Sequence, residues 1–130
     1  VIIPASMQKI GYNVFKGCEV GKITFAEGSK LNEIGDGAFK NAKVGEVIIP
    51  ASMQKIANNA FIGCEVGKIT FADGSKLQDL GSNVFKNAKI KTIIIQGCDK
   101  SNPNLLQKSA EIQEFKKNNT VKIIEIFKGD

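Results

Sequence analysis

Apolar residues recur along this chain in a fixed order, with a period of about 23 residues. Each period opens on an apolar triplet, continues through two bulky apolar residues, and reaches a phenylalanine followed by a small residue. The phenylalanines are Phe15, Phe39, Phe61 and Phe85, separated by 24, 22 and 24 residues. Neither helical periodicity nor strict strand alternation fits a whole period. A coil with one short strand and one loop or 3₁₀-like turn does fit, and such coils stack into a solenoid.

A longer repeat contains two of these periods. Residues 1–46 align with residues 47–92 without a gap, and 32 of the 46 positions are identical. Such self-similarity indicates a stacked array, so we predict a leucine-rich-repeat-like solenoid over residues 1–95. Its two 46-residue units should form about four turns plus a fifth strand. Glycine and asparagine share one corner of each turn, at Gly17, Asn41, Gly63 and Asn87. This column predicts a backbone with positive φ, which these two residues tolerate best.

The repeat strings resemble those of a known family. IIPASMQKIGYNVFKGC, ITFAEGSKLNEIGDGAFKNA and IIPASMQKIANNAFIGC are similar to BspA-like leucine-rich repeats, which read as a strand, I-P, a small polar pair and then I-G-x-x-A-F-x-x-C. The resemblance covers residues 1 to about 95. It implies a repeat of bacterial or protozoan surface proteins that adhere to host matrix, to other microbes or to cells. A cell-surface or secreted location is therefore expected from the resemblance, although the first ten residues lack the pattern of a signal peptide.

The repeat pattern stops after Ile95, and residues 96–130 are predicted to form a C-terminal cap. A helix is expected at about 103–118, with Asn102 as N-cap and Pro103 at its first position. A strand is expected at about 121–127. The amphipathic helix is compatible with a membrane- or partner-binding role, but the open end of a solenoid requires cover, which favours the cap.

The composition argues against several classes of function. The sequence has no histidine, which excludes a Ser-His-Asp or Cys-His arrangement and a histidine-ligated metal site. All 18 basic residues are lysines spread along the chain, and the net charge is +5. Without arginine forks or rich aromatic platforms, nucleic-acid binding is not expected. No apolar run approaches the ~18 residues of a membrane span, so membrane insertion is not expected either. We predict no enzyme activity, no metal and no cofactor.

Of the three cysteines, two are interpreted as packing residues of the repeat, and Cys98 lies outside the repeat. Cys18 and Cys64 share a column with Ala42 and Ala88, which indicates a slot for a small side chain. Two turns separate them, about 10 Å at strand spacing, which is too far for a disulfide. Both should be reduced and slow to react, and Cys98 is expected to be semi-exposed.

One exposed face of the sheet is the candidate site. Alternate strand residues face opposite sides, so the outer residues of each triplet should be buried, namely Val1, Ile3, Ile23, Phe25, Val47, Ile49, Ile69, Phe71, Ile93 and Ile95. The partner-binding face is then predicted to contain Ile2, Lys22, Thr24, Glu46, Ile48, Lys68, Thr70, Thr92 and Ile94. A second interpretation needs no ligand: β-branched residues favour strands, and Lys–Glu pairs stabilise neighbouring strands. A third interpretation is that this face contacts another copy of the chain.

These observations favour a non-enzymatic protein-interaction or adhesion module that binds a protein or cell-surface ligand. The alternative is a purely structural spacer, or a self-association domain, of a larger protein.

Overall fold

The computed structural model describes residues 1–98, 101, 105–118 and 121–127. They form a parallel β-solenoid of about four turns with helices near its C-terminal end, which confirms the predicted leucine-rich-repeat-like fold. The strands are β1 (Ile2–Ile3), β2 (Lys9–Ile10), β3 (Glu19–Phe25), β4 (Glu33–Ile34), β5 (Lys43–Ile49), β6 (Lys55–Ile56), β7 (Glu65–Phe71), β8 (Asp79–Leu80), β9 (Lys89–Cys98) and β10 (Lys122–Phe127). The helices are α1 (Leu105–Lys108) and α2 (Ala110–Asn118). Below, the turns are numbered first (residues 1–22), second (23–46), third (47–68) and fourth (69–92).

Two parallel sheets run along the solenoid. The larger has the strand order β1-β3-β5-β7-β9-β10, and the smaller has the order β2-β4-β6-β8. Strands are in register, so that each residue lies beside its counterpart in the next turn, as Val44 does beside Val66. The strands of the larger sheet extend beyond the predicted triplets because the residues before each triplet pair as well. The smaller sheet replaces part of the loop or 3₁₀-like turn that the sequence predicted.

Two corners of each turn have a left-handed backbone. The predicted column is confirmed, with φ of 71° at Gly17, 58° at Asn41, 68° at Gly63 and 58° at Asn87. A second column lies four residues earlier and was not predicted; it contains Asn13, Gly37, Asn59 and Asn83, with φ between 56° and 65°. Both columns use residues that tolerate positive φ, so the chain turns sharply at the same two points in every turn.

A stack of phenylalanine rings fills the core. The ring of Phe39 lies 5.1 Å from Phe15 and 4.9 Å from Phe61, and Phe61 lies 5.8 Å from Phe85, with interplanar angles of 16° or less. Phe39, Phe61 and Phe85 are buried, whereas Phe15 in the first turn is half-buried. The rings therefore form the continuous column that the 24- and 22-residue spacings predicted.

Two residues near the N-terminal end, Val1 in the first turn and Phe25 in the second, depart from the predicted burial pattern. The prediction that Val1 is buried is wrong, because Val1 is 61% exposed. Phe25 is half-buried, although it packs against the core. The remaining eight outer triplet residues are buried. Val1 is exposed because β1 is the edge strand of the larger sheet, and its outer side lacks the neighbour that the later strands have.

The C-terminal segment closes the opposite end of the solenoid. The side chains of Leu106, Ile112 and Phe115 are buried, and the Phe115 ring lies 5.6 Å from Phe85. The apolar side of α2 thus continues the phenylalanine stack and covers the fourth turn. Beside it, β10 pairs in parallel with β9 as a sixth strand.

The helical part of this segment differs from the single helix expected at about 103–118. It is divided at Ser109, which caps α2: the Ile112 N–H donates to Ser109 Oγ at 3.3 Å. A serine hydroxyl that accepts from the third helical residue is the usual N-cap arrangement. The N-cap predicted at Asn102 and the helical start at Pro103 lie outside the described residues. Within the described parts of the chain, no helix has the length and apolar character needed to cross a membrane.

Burial separates the three cysteines, all of which are free thiols. Cys64 is fully buried, and desolvation raises its pKa to about 12. The prediction that Cys98 is semi-exposed is wrong: β9 extends to Cys98, where it is buried beside β10 and its Sγ donates to the Ile95 carbonyl at 3.3 Å. Burial also raises the pKa of the Cys98 thiol. Cys18, in the incompletely covered first turn, is half-buried.

A thiol reagent should therefore distinguish these cysteines. We expect Cys18 to be labelled first in the native protein, and Cys64 and Cys98 only at the rate of unfolding, because a buried neutral thiol is a poor nucleophile. Cys64→Ala should cost less than about 1.5 kcal/mol, as a small apolar replacement in a slot that Ala42 and Ala88 already fill. Mass mapping of labelled peptides checks the order, and a Cys18–Cys64 disulfide would contradict the register.

Candidate functional site

The larger sheet brings the nine predicted site residues together in two adjacent rows. The sheet row contains Ile2, Thr24, Ile48, Thr70 and Ile94, and the inner charged row contains Lys22, Glu46, Lys68 and Thr92. Register pairs Ile2 with Thr24, and Thr70 with both Ile48 and Ile94. Strand β10 extends both rows, because Ile124 pairs with Ile94 and Lys122 pairs with Thr92. This extension was not predicted, since the C-terminal strand does not follow the repeat pattern.

Exposure along the sheet row follows the predicted alternation only in part. Ile48 is half-buried, whereas its two neighbours in the sequence, Val47 and Ile49, are only 1% and 2% exposed. The other members of the row are also half-buried, except Ile2, which is 72% exposed. The loops that follow the second and third triplets stand beside this row. Thr24 and Ile48 line a cleft of about 370 Å³ together with Glu27, Ser29 and Ser52 of those loops.

Glu46 is the centre of the inner charged row. Its carboxylate oxygens lie 3.0 Å from Lys68 Nζ and 3.2 Å from Lys22 Nζ. Hydrogen bonds from Lys68 and then Lys22 lower the pKa of Glu46 below its ordinary value. The lysine side chains are 44% and 58% exposed, so these pairs contribute little to folding and leave both ammonium groups accessible from solvent.

A row of glycines bends the larger sheet. The side chains of Val20 and Ile23 both pack against the core, although strict alternation would place residues three positions apart on opposite faces of the sheet. Between these two residues, the pairing of β3 with β5 skips Gly21 and Gly45. A Cβ on Gly45 would collide with the carbonyl oxygen of Gly21, and one on Gly67 would lie 2.5 Å from that of Gly45. At Gly45 and Gly67 the preceding strand therefore lies too close for a side chain.

The bend leaves an open groove of about 870 Å³ across the four longest strands. A second set of alternating charges, the outer charged row, lines it with Glu19, Lys43, Glu65 and Lys89. Register pairs Glu19 with Lys43 and Glu65 with Lys89, and Lys43 Nζ lies 3.9 Å from a Glu65 oxygen. The sequence signal for this groove was the sign change between EVGK in the first and third turns and KVGE in the second. The groove itself was not predicted.

The fourth turn departs from the pattern of the glycine row and from that of the inner charged row. Lys91 stands in the glycine row and Thr92 replaces the acidic residue of the inner charged row. Lys89 and Lys91 are exposed along the groove, and Lys122 is exposed beside Thr92. Positive charge therefore accumulates at the C-terminal end of the face, whereas charges of opposite sign alternate along the rest of it. In the described ranges, no group of three histidine, cysteine, aspartate or glutamate side chains could hold a metal ion.

Comparison with known proteins identifies the repeat. A family model for the BspA-type leucine-rich repeat region matches residues 1–64 and 32–128, in six copies. The match continues past Ile95 through β10, in agreement with the parallel pairing of that strand. Neither a search of curated proteins nor a search of solved structures found a match. Because the family model covers nearly the whole chain, the protein belongs to the BspA-type leucine-rich repeat family.

Proposed function

We propose that the chain is a non-enzymatic protein-interaction or adhesion module of a cell-surface or secreted protein, and that its larger sheet binds the ligand. Repeats of this type suggest a protein-interaction or surface role, and such solenoids are typically non-catalytic. The observation that carries the proposal is the sheet row, in which half-exposed isoleucines alternate with threonines beside charged side chains.

The shape and rigidity of this face support a binding role. Five neighbouring strands in parallel register hold the rows at fixed spacing, so a partner would meet side chains that are already ordered. Ile48 and Ile94 offer apolar anchors, which contribute more to a protein interface than charges at its rim. The excess of lysine at the C-terminal end favours a partner with an acidic segment at that position.

A structural spacer is the second candidate, and the charged rows favour it. Glu46 is paired on both sides, and the outer charged row alternates in sign along its whole length. These charges support neighbouring strands without any ligand. A spacer would need a stiff stack of turns, and its sheet face would need no ligand.

Binding measurements with two variants separate the candidates. The chain is tested against immobilised extracellular-matrix proteins and cell-surface glycoproteins, and Ile48→Lys is compared with Lys68→Ala on any protein that binds. We expect Ile48→Lys to weaken binding by about tenfold or more, as loss of an apolar anchor does, and Lys68→Ala to weaken it by less.

Lys55→Ala is the matched control, because Lys55 is an exposed lysine on the smaller sheet. Its binding should equal that of the parent chain. If Lys55→Ala weakens binding as strongly as Ile48→Lys does, the larger sheet is not the binding face. If no protein of the panel binds, the spacer is favoured.

A further inference from the structure

The two charged rows of the larger sheet change sign from strand to strand. From β3 to β9 the outer charged row reads Glu19, Lys43, Glu65 and Lys89, and the inner charged row reads Lys22, Glu46, Lys68 and Thr92. Neighbouring strands lie about 4.8 Å apart, which sets the spacing of these charges. The outer charged row alternates over four strands and therefore ends on opposite charges.

A row of this kind is complementary to its own reverse. A two-fold axis that runs parallel to the strands, midway between β5 and β7, would set β3 on β9 of a second copy and β5 on its β7. Glu19 would then meet Lys89 of the second copy, and Lys43 would meet its Glu65. An axis through β5 itself would instead set Glu19 against Glu65, and such like-charge contacts are unfavourable.

The same axis also suits the inner charged row and the sheet row. Glu46 would meet Lys68 of the second copy, and the uncharged Thr92 would meet the lysine at the other end of its row. Between β3 and β9, each half-exposed isoleucine of the sheet row would meet a threonine, as Ile48 would meet Thr70. The axis therefore brings no like charges together in these rows and covers apolar surface on both copies.

The ends of the outer charged row have free capacity for such contacts. Lys43 Nζ lies 3.9 Å from a Glu65 oxygen within the chain, whereas the exposed Glu19 and Lys89 form no salt bridge with a described residue. The two-fold axis pairs these two end charges with each other. Lys91, which is exposed along the groove two residues after Lys89, would add a second ammonium group near Glu19 of the second copy.

A second two-fold arrangement also opposes the charges but leaves the sheet row uncovered. An axis along the groove would set the outer charged row of each copy on the inner charged row of the other, turn by turn, so that Glu19 meets Lys22. The sheet row would then lie outside the contact. Because Ile48 and Ile94 are apolar anchors on this face, the arrangement with reversed turns is favoured.

We infer that the larger sheet is an isologous interface, through which two copies of this chain associate face to face with their turns in opposite order. The inference rests on the proposed function and names a second copy as the partner of that face. Four strands of seven residues cover only about 23 Å by 19 Å. This is less than the ~800 Å² that each partner contributes to a stable complex, so the dimer is weak and reversible.

Sedimentation equilibrium of the intact chain tests this inference. We expect a monomer–dimer equilibrium with dimer present at about 1 mM chain. Glu19→Lys and Lys89→Glu should each weaken self-association by about tenfold or more, because each sets like charges together at both ends of the outer charged row. An equimolar mixture of the two variants should dimerise again, since the new lysine of one chain then faces the new glutamate of the other.

Lys16→Glu is the matched control, because Lys16 is an exposed lysine between β2 and β3, away from the larger sheet. Its self-association should equal that of the parent chain, and all three variants should keep the parent's urea midpoint. In the arrangement along the groove, the lysine introduced by Glu19→Lys meets Lys22 in every pairing. A mixture no better associated than the separate variants would therefore overturn the reversed arrangement. A parent chain that is monomeric at about 1 mM, or an equal loss from Lys16→Glu, would overturn the interface itself.

Binding to the matrix and cell-surface panel separates this inference from the proposed function. Suppose that the parent chain stays monomeric but binds a panel protein through Ile48. The larger sheet would then be a binding face, and the second copy would be overturned as its partner. Dimerisation that Ile48→Lys weakens, without binding to any panel protein, would support the second copy as the partner.

Discussion

Replacement of Phe61 by alanine is expected to lower the free energy of unfolding by about 3–5 kcal/mol, the range for truncation of a buried phenylalanine. The Phe61 ring is 1% exposed and lies between Phe39 at 4.9 Å and Phe85 at 5.8 Å. Its removal would leave both neighbours facing a cavity, and rings held in an in-register stack cannot easily collapse into it. Urea denaturation followed by circular dichroism measures the loss.

Phe15→Ala is the natural comparison, because Phe15 occupies the same column in the first turn. That ring is half-buried and stacks on Phe39 alone among the rings of its column, so a smaller loss is expected. A loss below about 1 kcal/mol for Phe61→Ala would show that its ring contributes far less than a buried phenylalanine should. Equal losses for the two variants would show that the position of a turn in the stack does not matter.

The stacking of turns could be predicted because each turn repeats the same apolar positions. A single turn cannot bury its apolar side, so identical positions must lie over one another, and the observed register places Val20, Val44 and Val66 in one column. The column of Gly17 and Asn41 was predictable for a related reason. Few residues other than these two tolerate positive φ, and their alternation at one position shows the constraint.

Other features depend on contacts that the repeat pattern does not contain. Val1 is exposed because β1 is the edge strand of the larger sheet, which its own repeat sequence does not indicate. Cys98 is buried by β10, a strand from outside the repeat pattern, and the break at Ser109 is a local choice of cap within an amphipathic segment. The glycine row was visible in the sequence, but its meaning depends on the closeness of adjacent strands, which places one glycine against the carbonyl of the next.

The candidate face was likewise predicted in some respects and not in others. Its membership followed from strand alternation and from the 46-residue repeat, and the structure places its residues in two neighbouring rows. The degree of exposure did not follow, because the loops beside Thr24 and Ile48 cover part of the row. The groove along Gly21, Gly45 and Gly67 was missed as well, since a bend in the sheet has no signature in alternation alone.

A pair of lysine substitutions at neighbouring positions has the largest expected effect. Ile49 is 2% exposed in the core, whereas Ile48 is half-buried on the sheet row. Ile49→Lys loses the packing of a buried isoleucine and adds a buried charge with no partner, which costs several kcal/mol more. The sum approaches the whole stability of about 5–15 kcal/mol of a typical domain, so this variant should be largely unfolded. Ile48→Lys should cost less than about 1 kcal/mol, because its ammonium group can extend into solvent.

Ile49→Leu shows whether the charge or the position causes the damage. It conserves volume and polarity, so its loss should stay below about 1.5 kcal/mol. The urea midpoints of the three variants then give a clear order, with Ile49→Lys far below the others. If Ile48→Lys unfolds the protein as readily as Ile49→Lys, the strand is buried on both sides and cannot present a binding face. If Ile48→Lys stays folded, it keeps the sheet intact while changing its central apolar contact. The same variant can then report on ligand binding without a confounding loss of structure.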